Sequence, residues 1–174
     1  MNSSRRGTRR DDSDVLKGIA AGLVGGLVAS WTMNQFQALL STLAEEDKKS
    51  QDDSKEGDDA TVKAASAISE GVFNHELTKN EKRVAGPTVH YALGTTMGGL
   101  YGALAEIAPI ASVGFGLAFG AIFWVAADEA AVPALGLSKS PTESPLSTHA
   151  SALASHLVYG LTTDLVRRAL RSAL

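Results

Sequence analysis

Four side chains in this 174-residue chain have the types and placing to handle a proton or a cation: His90, Asp128, Glu129 and His156. Imidazole and carboxylate groups relay protons, and both ligate metal ions. Each of the four lies within or at the end of a long stretch otherwise free of charge. Ionisable groups in such surroundings are costly and mark candidate functional sites. The plainer alternative is that they are helix-end residues, hydrogen-bonded to neighbours or wetted by headgroup water. Asn34 and Gln35 fall at a matching depth. Glu106 and Asp164 lie apart from them, and Asp164 has Arg168 one helical turn later as an ion-pair partner.

Most enzyme chemistry has no signature here. The chain has no cysteine, which removes disulfides, thiolate metal sites and cysteine nucleophiles. It contains no HExxH, GxSxG or phosphate-binding loop. Ser155 and His156 are adjacent on a helix and point to different faces, so they are not a catalytic dyad. His149 and His156 are two turns apart and share a face, a spacing too common to identify a ligand pair. The expectation is a non-enzyme with no cofactor, no resident metal and no nucleic-acid partner. A membrane-embedded metal-dependent enzyme is a distant alternative.

Charge segregation identifies the elements that must position these residues. Although 20% of the residues are charged, Gly18 to Ala44, Pro87 to Ala105, Ile107 to Ala127 and Ser144 to Thr163 contain no Asp, Glu, Lys or Arg. Each run is close to the roughly 20 residues that a helix needs to cross a bilayer. A soluble bundle would need charged outer faces at helical spacing, and these are missing. The N-terminal Arg5, Arg6, Arg9 and Arg10 ahead of an apolar run resemble a signal peptide, but the run is too long and fits an uncleaved spanning helix.

The predicted fold is therefore all-α: a four-helix transmembrane bundle of two helical hairpins forming one integral membrane domain over 1–174. The spans are expected at about 15–43, 86–108, 111–131 and 148–171. Between the first two lies a polar loop, 44–85. Its first part, Glu45 to Asp59, lacks apolar residues and is expected to be mobile and partly disordered. Ala60, Ala64, Ala65, Ile68, Val72 and Phe73 then form the stripe of a short amphipathic helix, lying on the membrane surface or packed against the protein. Gly86-Pro87 is read as the opening of the second span, Pro109 as the turn into the third, and Pro133 with Gly136 as its end.

Small residues recur every four positions: Gly18, Gly22, Gly26 and Ser30; Gly94, Gly98 and Gly102; Gly116 and Gly120; Ala152 and, two turns on, Gly160. In lipid, helices associate by close packing over such grooves, so these positions predict tight packing or a homo-oligomer. The same spacing suggests an internal repeat. Gly22, Gly26, Ser30, Asn34 and Gln35 align with Gly116, Gly120, Trp124, Asp128 and Glu129, and His90 with Gly94 aligns with His156 and Gly160.

Basic residues cluster at both ends of the chain, five at one (Arg5, Arg6, Arg9, Arg10 and Lys17) and three at the other (Arg167, Arg168 and Arg171), while the long first loop holds seven but is net acidic. The positive-inside rule then places both termini in the cytoplasm, against a net acidic first loop. In that orientation Asn34, Gln35, His90, Asp128, Glu129 and His156 converge toward the outer face.

Tyr101-Gly102-Ala103-Leu104-Ala105-Glu106-Ile107-Ala108-Pro109, then Val132-Pro133-Ala134-Leu135-Gly136-Leu137 leading to Pro141, then His156-Leu157-Val158 with Val166-Arg167-Arg168-Ala169-Leu170-Arg171 form an ordered set. In that order and spacing the chain resembles the YagU-like family of bacterial inner-membrane proteins over roughly residues 86–171. The resemblance implies a helical protein of the inner membrane and carries no catalytic residue with it. Asp128 departs from the family's pattern, which has a histidine there. Together these readings point to a non-catalytic, multi-pass membrane protein whose partner is the lipid bilayer. The alternative is a small proton- or cation-responsive transporter or channel using Asp128, Glu129, His90 and His156.

Overall fold

The computed structural model describes residues 4–47 and 59–173. The acidic stretch expected to be mobile lies, over 48–58, outside the described residues, as do the side chains of residues 4–11 and 44–47. The described chain is all-helical: α1 Ser4–Asp47, α2 Ala60–Phe73, α3 Lys79–Ile107, α4 Leu117–Trp124, α5 Val132–Ala134 and α6 Leu146–Arg171. A 3-10 turn, Pro109–Ser112, follows α3, and a second, Pro141–Glu143, precedes α6. A π-helical segment, Val125–Ala131, joins α4 to α5 as one rod.

α1 runs past the expected 15–43 at both ends, from Ser4 to Asp47, so Glu45 to Asp47 of the stretch expected to be mobile are helical. Three further boundaries differ, each for a backbone reason. The second long helix starts at Lys79 rather than 86, because Thr78 and Glu81 form a capping box that satisfies its first amides. Pro87 therefore lies inside α3, where its missing N–H removes one helical bond without ending the helix. The third helix starts at Leu117 rather than 111. Gly114, Phe115 and Gly116 all take positive φ (79°, 54° and 79°), a left-handed turn that a right-handed helix cannot include. It also continues past 131 to Ala134 through the π-helical segment. Two segments, Asp12–Leu43 and Leu117–Ala134, are long and apolar enough to cross a membrane by length and composition.

α1 is central. It runs antiparallel to α3, with Gly18 against Gly102, Gly22 against Gly98 and Gly26 against Gly94. It is antiparallel to α6 as well: Gly25 lies against Thr163, and Asp14 meets Arg171. α4 packs antiparallel on α6 through Gly116 and Gly120. The glycines expected to mediate packing thus face one another within the chain. Where α3 and α4 stand farther apart, aromatic rings fill the space. Phe119 lies 4.6 Å from Tyr101 and 6.2 Å from Tyr159, and Tyr159 donates to the Gly94 carbonyl.

The two hairpins share this packing mode in a register that differs from the sequence alignment. A methyl on Gly98 would meet the Gly22 carbonyl and the Gly26 Cα; one on Gly160 would meet the Gly116 carbonyl and the Gly120 Cα. Gly160 is therefore the structural counterpart of Gly98, not of Gly94. The repeat slips by one turn, and His90 and His156 are not equivalent positions.

α2 folds back on α3, with Val62 against Gly86 and with Ala65 and Ser69 buried. Ile68, Val72 and Phe73 of its apolar stripe point outward. Among the described residues the core is small and aromatic, with Ala29, Met33, Phe123 and Tyr159 clustered at its centre. No described Leu, Ile or Val is buried, whereas Ser30, Ser155, His156, Thr163, Asp164 and Arg167 are.

Candidate functional site

Asp128 and Glu129 lie in the π-helical segment that extends α4, opposite α6. Single π turns often mark functional positions in helices. As neighbours the two carboxylates diverge, and each meets a different histidine of α6. Asp128 Oδ2 is 3.7 Å from Nδ1 of His156, an ion-pair separation rather than a hydrogen bond. His156 is buried, and its Nδ1 donates to the Ala152 carbonyl at 3.0 Å. Glu129 Oε1 is 2.6 Å from Nδ1 of His149, whose Nε2 lies 3.0 Å from the Pro141 carbonyl.

His90 stands on α3 within electrostatic reach of both His156 and Asp128, and its Nε2 is buried without a hydrogen-bond partner. Of the four expected residues, Asp128 and His156 are thus brought together, with His90 on the facing helix. Glu129 leaves the group for His149. Beside them Asn34 Nδ2 donates to the Tyr91 hydroxyl at 3.3 Å, linking α1 to α3. Among the described residues no three His, Asp or Glu side chains are placed to hold a metal ion together.

At the opposite end lies a second charged group. Asp164, with no exposed surface, accepts from Arg167 Nη2 at 3.0 Å and from Arg168 Nε at 2.6 Å. Glu106 of α3 accepts from Arg171 Nε at 2.8 Å and from Arg167 Nη1 at 3.3 Å. Arg171 also reaches Asp14 of α1, and Arg168 Nη2 donates to the Ser112 carbonyl at 2.7 Å. Three carboxylates and three guanidinium groups tie α1, α3, the α3–α4 turn and α6 together.

Of this network, the Asp164–Arg168 pair is legible as an i, i+4 spacing. Arg167 and Arg171 follow on the same face of α6, a periodicity that marks the cluster before its partners on α1 and α3 are known. The sequence marks His149 only as a companion of His156, two turns away. Its bond to Glu129 depends on the π-helical segment, for which residues 125–131 carry no sequence signal.

The model of a family described as a protein of unknown function, DUF1440, matches residues 65–165, more than half of the chain. No curated protein and no solved structure matches it. The matched stretch begins within α2 and includes His90, Glu106, Asp128, Glu129, His149, His156 and Asp164, and it is compatible with the YagU-like resemblance over 86–171. The chain, with its two charged groups at opposite ends of a glycine-packed bundle, therefore belongs to the DUF1440 family of proteins of unknown function.

Proposed function

We propose that this chain is a non-catalytic, multi-pass protein of the bacterial inner membrane. In this reading α1, α3, the α4–α5 rod and α6 each cross the bilayer, with both termini in the cytoplasm. The observation that carries it is the outward placement of the branched aliphatic side chains. Leu23, Val24, Leu27, Trp31, Leu93, Leu100, Leu104, Ile122, Val125 and Leu165 all face outward, while glycine, alanine, a small aromatic cluster around Phe123 and Tyr159, and polar groups such as Ser30, His156, Thr163, Asp164 and Arg167 form the interior. Water rarely tolerates contiguous apolar surface on that scale, whereas lipid favours it. α3 and α6 carry more polar residues along their middle than α1; on α6 Ser155, His156, Thr163, Asp164 and Arg167 are buried against the other helices, and the exposed Thr88, Thr96 and Ser151 hydroxyls bond to carbonyls of their own helix. The glycine stripes are occupied within the chain, so they support internal packing rather than association with a second copy.

Because the chain has no cysteine, single-cysteine labelling tests this directly. Cysteines in place of Glu76 and Lys139 should react with an impermeant reagent in intact spheroplasts, and one in place of Ala111 should be protected. The opposite pattern reverses the orientation. Equal labelling of positions 76 and 111 means that α3 does not cross.

One observation favours a second reading, a proton- or cation-responsive transporter or channel. The buried face of α6 is polar along its length, from Ser155 and His156 through Tyr159 and Thr163 to Asp164 and Arg167. Such a line within a membrane bundle suits a path for protons or ions. Proteoliposomes holding a pH-sensitive dye should then show flux that Asp128→Asn abolishes. Leakage equal to that of empty liposomes counts against transport.

A further inference from the structure

His149, in the first turn of α6, stands between two groups that can only accept hydrogen bonds. The Pro141 carbonyl, 3.0 Å from Nε2, has lone pairs and no proton to give. Glu129 Oε1, 2.6 Å from Nδ1, has the same limitation while it is ionised. A neutral imidazole has one N–H and satisfies one of the two. The arrangement is complete only when one further proton is held, either on the imidazole or on the Glu129 carboxyl.

The three partners come from three elements. Glu129 belongs to the π-helical segment, Pro141 to the 3-10 turn of the connection and His149 to α6. Within the connection the other hydrogen bonds are local, such as Gly136 N–H to the Pro133 carbonyl and Leu137 N–H to the Val132 carbonyl. The histidine bridges span 20 and 8 residues. Both side chains are 21% exposed, shielded yet open to proton exchange. Glu129 is the titratable group facing His149. Asp128 turns to His156 instead, and Lys139 and Glu143 of the connection are exposed.

We propose that Glu129, His149 and the Pro141 carbonyl form a proton-binding latch, in which one bound proton fastens the connection over 135–145 to the end of the α4–α5 rod. Loss of that proton as pH rises releases one of the two bonds, and the connection loosens.

The test is NMR of the full chain, carrying 15N-labelled histidine, in bilayers. At pH 7 His149 should show both ring nitrogens protonated, or one nitrogen sharing a proton with Glu129. On raising the pH, the loss of that signal should coincide with faster amide exchange at Leu137 and Glu143. Glu129→Gln should lower the proton affinity of His149 by about tenfold, one unit on the pH scale, while the resonances of His75, paired with Glu81 far along the chain, stay in place and report an intact fold. A neutral His149 with an unshared proton at pH 7 overturns the proposal from the wild-type spectrum alone. An unchanged titration in Glu129→Gln, or exchange at 137 and 143 that ignores the His149 state, also overturns it.

Discussion

Gly26 of α1 and Gly98 of α3 approach so closely that a methyl group on Gly26 would stand 2.9 Å from the Gly98 Cα. No rotamer relieves a backbone contact, so even alanine must push the helices apart. Gly98→Ala should therefore destabilise the fold by about 1–3 kcal/mol, the usual cost of overpacking, seen as a lower unfolding temperature in detergent micelles. Gly71→Ala on α2, where a methyl meets nothing within 4 Å, should be neutral or slightly stabilising. Equal losses in both variants would mean that the stripes are not close contacts.

Asp164 and Arg168 form a pair of unequal burial: the carboxylate has no exposed surface, whereas the arginine side chain is 44% exposed. Asp164→Ala leaves Arg167 buried with one carboxylate fewer, so a loss of about 3–5 kcal/mol is expected. Arg168→Ala takes a partner from the buried carboxylate, but Arg167 remains on Asp164 and water can enter where the exposed guanidinium stood, so a smaller cost of about 1.5–3 kcal/mol is expected. Chemical denaturation of the two variants in micelles checks the ratio. Similar losses would show that the network is wetter than its geometry implies.

The capping box at the start of α3 makes that end acid-sensitive. Hydrogen bonds from the Thr78 hydroxyl and backbone hold the Glu81 carboxyl at a pKa of about 2, against an ordinary 4.5. A lowered carboxylate pKa means that stability is fully present above pH 4.5 and is lost as the pH falls from 4.5 toward 2. Amides of Glu81 and Lys82 should lose protection from exchange across that window. Glu81→Gln keeps a capping partner without a titrating group, so its protection should not vary there. Acid fraying that persists in Glu81→Gln would assign the effect to another group.

The contrast between Thr78 and Pro87 shows what was legible in the chain and what was not. Charge-free runs located the long helices and the glycine spacing located their contact faces, because both follow from period and composition. Gly86-Pro87 is the louder signal and points to a start at 86, although α3 begins behind the capping box of Thr78 and Glu81, because proline is tolerated inside a helix held by its neighbours. Phe115 at a positive φ and the π-helical segment have no compositional mark. Gly116, at the end of the left-handed turn, packs against Gly160, and Gly120 against His156, contacts that spacing alone does not assign. The same applies to the repeat: spacing shows that two stripes exist, but their register depends on which faces meet.

That π-helical segment separates Asp128 from Glu129, and the separation has a measurable consequence. If the carboxylates serve different histidines, their effects are largely separate. Asp128→Asn should perturb the ring resonances of His156 and leave those of His149 nearly in place, and Glu129→Gln should do the reverse. The double variant should combine the two patterns with a smaller cross effect from the adjacent carboxylates, since the 2.6 Å contact of Glu129 and the 3.7 Å approach of Asp128 share no side chain. An α-helical backbone here would change the relative directions of the two carboxylates. Crossed perturbations of equal size, with Asp128→Asn moving His149 as far as His156, would then show that all four groups share one site and that the bundle closes differently at this end.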